Sequence, residues 1–97
     1  MELIIAPSAQ VDLLGIWEYV SRRDIEKANA LLDSFKEAFD LLVTFPEMGR
    51  EREGSPRGVL SFSHEGYLVF YRLSANFIEV IRVLHSTRDY AEIFRDS

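Results

Sequence analysis

The chain has 97 residues, and the 47% that are hydrophobic are spread throughout, which predicts one compact domain over residues 1–97 and excludes a second domain or extensive disorder. The absence of cysteine excludes disulfides, thiol catalysis and cysteine-ligated metal. The formal net charge of −5 argues against non-specific nucleic-acid binding, which depends on many Lys and Arg contacts to phosphate, so we expect no direct nucleic-acid binding by this chain alone.

The N-terminal segment is predicted to form a short strand followed by a helix. Residues 2–5 are rich in β-branched and apolar side chains, and Pro7 ends the strand. Ser8 is predicted to cap the first helix, because a serine hydroxyl can accept a hydrogen bond from a free amide of the first turn. The apolar stripe predicted to face the core is Val11, Leu14, Ile16, Trp17 and Val20.

A second helix is predicted to follow after a short break, which makes a helical hairpin. Asp24 is its expected cap, and residues 27–45 carry apolar side chains at helical spacing. Pro46 ends it, because the residue before a proline disfavours helical backbone angles. Residues 46–56 are polar and rich in glycine and proline, which predicts a loop.

Three β-segments are predicted next, at residues 57–63, 67–73 and 77–85. The gaps between them are the size of hairpin turns, so an antiparallel meander is the simplest arrangement. Pairing of the last two segments around residues 74–76 would place Arg72 near Ile78 and Arg82 near Leu68. The tail is predicted to form a short C-terminal helix within residues 89–94.

The predicted fold class is therefore α+β, with the order β-α-α-β-β-β. The helical hairpin is expected to pack on one face of a small, mainly antiparallel sheet, since two amphipathic helices need a common apolar surface. The other face is expected to be partly open, because so short a chain has no third layer to cover it. An open sheet face is a natural binding surface.

Several basic side chains fall on the predicted sheet. Four arginines lie at strand ends, on strands or just after the last strand: Arg57, Arg72, Arg82 and Arg88. They can form a local basic site, or they can pair singly with Glu79, Asp89 or solvent, and the spacing alone favours the second alternative. His64 falls in a predicted turn and is expected to be exposed and incidental, whereas His85 follows a strand and is the better candidate for chemistry.

Two tyrosines share one face of a predicted strand. Tyr67 and Tyr71 could stack a nucleic-acid base or contact a protein partner, and the acidic charge of the chain favours the partner. No spacing of His, Asp and Glu indicates a metal site, and no phosphate loop or dinucleotide fingerprint is present, so we expect neither metal nor cofactor. No apolar run is long enough to span a membrane and no positive leader is present, so a cytoplasmic protein is expected.

Four segments, in their order along the chain, resemble the RelE/ParE toxin superfamily of type II toxin–antitoxin systems. They are AQVDLLGIWEY at residues 9–19, FPEMGR at 45–50, GYLVFYR at 66–72 and IRVLHSTRD at 81–89. The last segment is the most specific and looks more like ParE than like RelE. Together the segments span nearly the whole chain, and the family fold implied by the resemblance matches the order of elements given above.

The resemblance implies a toxin that is neutralised by a cognate antitoxin, with which it forms a hetero-oligomer. ParE-type toxins are associated with inhibition of DNA gyrase and blocked replication, so the likeness to ParE implies gyrase as the target and a binding inhibitor rather than an enzyme. RelE-type toxins are instead ribosome-dependent mRNA endonucleases. Those toxins use basic residues and commonly a late tyrosine to activate the ribose hydroxyl.

The RelE pattern is incompletely met by this sequence. No lysine follows Lys36, Phe94 stands near the place of the late tyrosine, and Tyr90 is offset from it. General acid–base cleavage needs a positioned proton acceptor and donor, which phenylalanine cannot supply. The endonuclease and an interaction module without toxicity remain the alternatives to a gyrase inhibitor.

The resemblance and the strand positions together predict a target- or partner-binding surface with no catalytic residue. The residues assigned to it are Tyr67, Arg72, Arg82, His85, Arg88 and Asp89.

Overall fold

The computed structural model describes residues 1–95 and has the predicted α+β architecture, with one added strand. Its elements are β1 (Glu2–Ile5), α1 (Pro7–Ser21), α2 (Ile25–Thr44), β2 (Arg50–Glu51), β3 (Val59–His64), β4 (Tyr67–Leu73), β5 (Phe77–His85) and α3 (Tyr90–Arg95). The predicted strand-helix-helix-meander order and the short C-terminal helix are confirmed. The segment 46–56 was predicted to be a loop throughout, which is wrong at β2.

The strands form one mixed sheet in the order β1-β5-β4-β3-β2. The meander from β3 to β5 is antiparallel, and β2 adds an antiparallel edge beside β3. β1 pairs with β5 in parallel, because the two helices carry the chain away from β1 before the meander begins. The sheet is therefore mainly antiparallel, as predicted.

One face of the sheet packs against the helical hairpin and forms the main core. The buried side chains of this core are Ala9, Phe35, Ala38, Phe39, Leu42, Phe62, Val69, Tyr71, Ile78, Val80 and Val83. Most of the helical part comes from α2, whose apolar residues recur every third or fourth position and so fall on one face.

The start of α1 differs from its prediction. Pro7 takes the first helical position, where its missing N–H costs nothing, and Ala6 before it makes no side-chain cap. Ser8 lies inside the helix, and its Oγ donates to the carbonyl oxygen of Ile81 at 2.7 Å. The predicted serine cap is therefore wrong, because this hydroxyl bonds to the sheet instead of to its own helix.

The predicted core stripe of α1 is also partly wrong. Ala9, Leu13 and Ile16 pack in or against the core, whereas Val11 is 69% exposed and Leu14 is 58% exposed. Trp17 is half-buried, and its indole Nε1 donates to the side chain of Asn29 on α2 at 2.8 Å. The exposed valine and leucine leave an apolar surface on the outside of the helix.

The start of α2 is capped as the sequence predicts. The carboxylate of Asp24 accepts a hydrogen bond from the amide of Lys27 at 3.0 Å. Replacing Asp24 with alanine leaves that amide without its partner, and we expect the free energy of unfolding to fall by about 1 kcal/mol in urea titration. An Asp24→Asn variant keeps an oxygen acceptor and should change stability by only a few tenths. Equal losses in the two variants would contradict the capping role.

The second face of the sheet is not as open as expected. Val59, Leu68, Phe70 and Leu84 are buried there beneath α3. The ring centroid of Phe70 lies 5.0 Å from that of Phe94 and 5.3 Å from that of Tyr90. A six-residue helix thus covers part of this face, which the amphipathic helices alone could not indicate.

The pairing of β4 with β5 contains an irregularity between Phe70 and Tyr71. Arg72 lies opposite Glu79, and Arg82 lies opposite Phe70, so the expected pairings with Ile78 and Leu68 are wrong. A β-bulge adds one unpaired residue to a strand and shifts the register beyond it. Here Ile81 has no partner on β4, because Phe70 lies opposite Arg82 and Tyr71 lies opposite Val80.

His64 also differs from its prediction. Its Nε2 is 2.8 Å from the hydroxyl of Ser34 on α2, and its ring centroid is 4.9 Å from that of Phe35. His64 closes β3 and tethers this end of the sheet to the helical hairpin. It is half-buried and structural rather than exposed and incidental.

Candidate functional site

The site is built on the part of β5 that has no neighbouring strand on one side. β1 follows β5 only as far as Val80, whose carbonyl accepts the amide of Ala6 at 2.9 Å. There the chain turns into α1, which runs beside the remaining edge of β5. Ser8 and Asp12 lie one helical turn apart on α1 and bond to backbone groups of that edge.

Asp12 holds three donors of β5 at once. Its two carboxylate oxygens accept from Nε and Nη2 of Arg82 at 2.8 and 3.0 Å, and one of them also accepts the amide of Val83 at 2.9 Å. The Asp12 side chain is only 12% exposed and that of Arg82 is 26% exposed. Hydrogen bonding to Asp12 raises the pKa of Arg82, against an opposing effect of burial.

The sequence did not predict this contact of Asp12 with Arg82 and Val83, which we call the Asp12 clamp. No role was predicted for Asp12, and Arg82 was expected to pair with Glu79, Asp89 or solvent. Neither of those acids forms an ion pair within the described residues, where the salt bridges are Arg82–Asp12 and Arg95–Glu92. No local sequence pattern connects Asp12 on α1 with Arg82 on β5, because the two residues are 70 positions apart in the chain.

Beyond the clamp lies a groove of about 550 Å³ between α1 and the end of β5, which we call the α1–β5 groove. It is lined by Val11, Asp12, Gly15, Ile16, Tyr19, Tyr67, Val83, Leu84, His85, Thr87 and Arg88. Three of the six residues assigned from the sequence, Tyr67, His85 and Arg88, come together here. The walls are mostly apolar, and the polar groups gather at the end formed by residues 85–88.

Tyr67 and His85 face each other across paired strands. Their rings meet edge to face, with centroids 5.3 Å apart and planes at 83°. Burial raises the pKa of Tyr67, and nearby Tyr19 raises it further, so the phenol stays protonated. The amide of Thr87 donates to Nδ1 of His85 at 3.2 Å, and its hydroxyl lies 2.7 Å from the same nitrogen. Nδ1 therefore accepts, and Nε2 carries the hydrogen of the neutral ring.

Arg88 and Asp89 have different environments although they are neighbours. Arg88 is exposed at the rim of the groove and forms no ion pair within residues 1–95. Asp89 accepts the amide of Glu92 at 3.2 Å and so caps the start of α3. Asp89 therefore orients the C-terminal helix, and a contact between it and a partner stays a prediction.

The other two assigned residues lie outside the groove. Arg72 and Arg82 line a separate, smaller depression of about 380 Å³ together with Ser8, Pro56, Ile81 and Phe94. The guanidinium of Arg82 is occupied by Asp12, whereas Arg72 is exposed. Tyr71, which could have stacked a base, is fully buried in the core instead. The six residues thus form no single surface, and their role in binding stays a prediction.

Within residues 1–95, no three His, Asp or Glu side chains gather closely enough to hold a metal ion together. No helix in this part of the chain is long and apolar enough to cross a membrane.

The molecule is thus a small α+β protein with a helical hairpin on a mixed sheet and a groove beside the unpaired part of β5, its longest strand. Comparison with known proteins identifies its family. Residues 3–90 match the model of the ParE toxin of type II toxin–antitoxin systems, parDE. The chain belongs to this ParE toxin family, within the RelE/ParE superfamily.

Individual relatives agree with the family assignment. Toxin ParE3 of Caulobacter vibrioides is 30% identical over 67 residues, which are 69% of this chain and 67% of that protein. A chain of the chromosomal ParDE toxin–antitoxin system from P. aeruginosa has a TM-score of 0.75 at 26% identity, over 88% of this chain and 95% of that one. A YoeB/ParE toxin from Agrobacterium tumefaciens shares the fold, with a TM-score of 0.63 at 20% identity over 88% and 98% of the two chains.

Proposed function

We propose that this ParE-type toxin arrests growth by binding DNA gyrase and blocking replication, and that a cognate antitoxin neutralises it in a hetero-oligomer. The observation that supports a binding mechanism is that two polar groups of the site already form hydrogen bonds within the protein. Arg82 is held by Asp12, and Nδ1 of His85 is held by Thr87. What remains accessible is a mostly apolar groove with the exposed imidazole of His85 and the cation of Arg88 at its rim, which suits recognition of a protein surface.

The position of Phe94 and the net charge weigh against the message-cleaving alternative. Cleavage by general acid–base catalysis needs a proton acceptor and a proton donor near the scissile phosphate. Phe94 supplies neither, and it packs on Phe70 beneath the sheet. The net charge of −5 also opposes approach to ribosomal RNA.

The surface of α1 supports an antitoxin partner. Val11, Leu14 and Tyr19 are 69%, 58% and 69% exposed, although each is large and apolar or aromatic. Large apolar side chains clustered on one side of a helix indicate a surface that is covered in a complex. The partner proposed for this surface is the antitoxin, and the complex is expected in the cytoplasm, where replication takes place.

Induced expression of the chain by itself tests the proposed target. We expect DNA synthesis to stop before protein synthesis, and the purified protein to inhibit supercoiling by gyrase. Early loss of protein synthesis, with cleavage of ribosome-bound message, would replace the gyrase proposal with the endonuclease. Growth without arrest would identify an interaction module that is not toxic.

Reversal of the charge of Arg88 tests whether the α1–β5 groove takes part in the inhibition of gyrase. We expect Arg88→Glu to weaken inhibition of supercoiling by roughly tenfold. The substitution puts a negative charge at the rim of the groove, where we propose that the cation of Arg88 contacts a negatively charged group of the target. Arg57→Glu makes the same change at an exposed position outside the groove and should retain activity. Equal activity of the two variants would remove the groove from the target surface.

A further inference from the structure

We propose that the turn at residues 85–88 presents His85 and Arg88 as two hydrogen-bond donors that together bind one carboxylate of the target protein, and that Thr87 positions the imidazole for this contact. This inference rests on the proposed function, because it names the chemical group of gyrase that the rim of the groove recognises. It follows from the hydrogen bonds of the turn, the tautomer of His85 and the charges around Arg88.

The turn that carries these two side chains is held by backbone hydrogen bonds. The amide of Arg88 donates to the carbonyl of His85 at 2.9 Å, which closes a β-turn over residues 85–88. The amide of Ser86 donates to the carbonyl of Gly66 at 2.9 Å, which ties this turn to the one between β3 and β4. The first and last Cα atoms of a β-turn lie within about 7 Å of each other. His85 and Arg88 are therefore close neighbours at the rim of the α1–β5 groove, which both of them line.

Thr87 determines which nitrogen of His85 carries the hydrogen. Its amide donates to Nδ1 at 3.2 Å, and its hydroxyl lies 2.7 Å from the same atom, so Nδ1 acts as an acceptor inside the turn. The hydrogen of the neutral ring is then on Nε2. Nε2 forms no hydrogen bond with any of residues 1–95, and His85 is exposed. The rim thus holds an N–H donor that has a fixed tautomer and is accessible to a partner.

The surroundings of the two donors supply no anion from the chain itself. Asp12, the acid in the lining of the groove, is bonded to Arg82, and Asp89 caps α3. Glu65 lines a neighbouring depression but forms no ion pair within residues 1–95. Burial raises the pKa of Tyr67, so its phenol is uncharged at neutral pH. The charge of Arg88 is therefore left for a group of the partner to compensate.

The chemistry of the two side chains identifies that group. A guanidinium has only N–H donors and no acceptor, and the Nε2–H of this imidazole is also a donor. A single group that accepts from both needs several lone pairs, and a negative charge strengthens both hydrogen bonds. In a protein target this group is a carboxylate, which accepts through two oxygens. The mostly apolar walls of the groove reduce competition from water and so favour such a contact.

Two amide substitutions at His85 test the assigned donor atom. The probe is purified DNA gyrase, and the measurement is the toxin concentration that halves supercoiling. The amide nitrogen of His85→Gln lies about as far from the backbone as Nε2, whereas that of His85→Asn reaches only as far as Nδ1. We expect His85→Asn to weaken inhibition roughly tenfold and His85→Gln to weaken it less than about threefold. Equal losses, with unfolding midpoints like that of the wild type, would overturn the assignment of Nε2.

The positioning role of Thr87 has a spectroscopic and a functional test. Nitrogen NMR of the free toxin should show that Nδ1 of His85 bears no hydrogen in the neutral ring, and a hydrogen on Nδ1 would overturn the role. Thr87→Val removes the hydroxyl and should weaken inhibition about threefold. Because Thr87 acts through the imidazole, Thr87→Val should add no further loss to His85→Asn. Losses that multiply would contradict positioning through His85.

A double substitution tests whether His85 and Arg88 bind the same carboxylate. Arg88→Gln should weaken inhibition roughly tenfold. Its combination with His85→Asn should lose less than the product of the two single losses, because neither donor keeps its full effect without the other. Arg57→Gln makes the same change at an exposed position outside the groove and should add nothing to His85→Asn. Single losses that multiply would show two separate contacts and overturn the shared site.

Direct binding of the toxin to gyrase, with and without DNA, distinguishes the remaining outcomes. Losses in the His85→Asn and Arg88→Gln variants that persist without DNA support a carboxylate of the protein. Losses that occur only with DNA present would assign the anion to a phosphate and overturn the carboxylate. If the wild type binds gyrase and both variants bind equally well, the inference fails while the proposed function stands. If the wild type neither binds gyrase nor inhibits supercoiling, both fail.

Discussion

Replacing Asp12 with alanine is expected to lower the free energy of unfolding by roughly 2–3 kcal/mol, because it leaves a partly buried guanidinium and a backbone amide without their acceptor. Loss of one partner of a fully buried ion pair costs more, but Arg82 retains 26% exposure and can reach water. The raised pKa of Arg82 means that its contribution is fully present below the unfolded pKa and is lost only as pH rises through the folded one. The effect should therefore be constant across neutral pH, and urea titration measures it.

Two further variants identify the source of this loss. Asp12→Asn keeps an oxygen for the amide of Val83 but removes the charge beside Arg82, so it should lose less than alanine does. Combining Asp12→Ala with Arg82→Met removes the unpaired cation and should recover part of the lost stability. A single Asp12→Ala variant that unfolds within about 0.5 kcal/mol of the wild type would show that the clamp is not a stabilising contact.

The elements that were predicted correctly are those with several agreeing local signals. α2 has a capping aspartate at its start, a regular apolar face along its length and a proline after its end. The β4–β5 hairpin has two apolar strands around a polar turn of three residues. Local signals of this kind depend only on neighbouring residues, so one sequence was enough to place them.

The errors in the prediction of α1 arise because its contacts join residues that are distant along the chain. Val11 and Leu14 have the apolar character of core residues, yet they are exposed because α1 lies at the edge of the sheet beside β5. Ser8 has the character of a cap, yet it bonds to Ile81, 73 residues away. Sequence periodicity reports which residues share a helix face, but it does not report which face the sheet covers.

The site was predicted in part for the same reason. Tyr67 and His85 lie at the two ends of strands that hairpin geometry brings together, and they meet as neighbours in the groove. Arg82 lies three residues before His85 on β5, so the alternation of side chains along a strand turns it to the other face of the sheet. Its aspartate partner comes from α1, which no local sequence pattern connects with β5. The place of Gly15 in the α1 wall of the groove could be recognised only from the packed structure.

Replacing Tyr71 with phenylalanine is expected to lower the free energy of unfolding by about 1–2 kcal/mol at neutral pH. Tyr71 is fully buried, and its hydroxyl donates to the carbonyl of Pro46 at 2.7 Å and accepts the amide of Gly49 at 2.9 Å. The phenol thus fixes the chain where it leaves α2, and a Cβ on Gly49 would lie only 2.7 Å from that hydroxyl. Phenylalanine keeps the packing of the ring but leaves both backbone groups without this partner.

The pH dependence of this loss provides a second test of the same contact. Burial raises the pKa of Tyr71, the hydrogen bond from Gly49 lowers it, and the charge of Glu47 raises it, with a net rise above the ordinary value of 10.0. A raised folded pKa means that the stabilisation is complete below the unfolded pKa and is lost as pH rises through the folded one. The stability difference between wild type and Tyr71→Phe should therefore be constant to about pH 9 and shrink above pH 10, as followed by urea titration. Tyr67 is unchanged in both proteins, so its own titration cancels, and a difference that stays constant at high pH would contradict the assigned role of the Tyr71 hydroxyl.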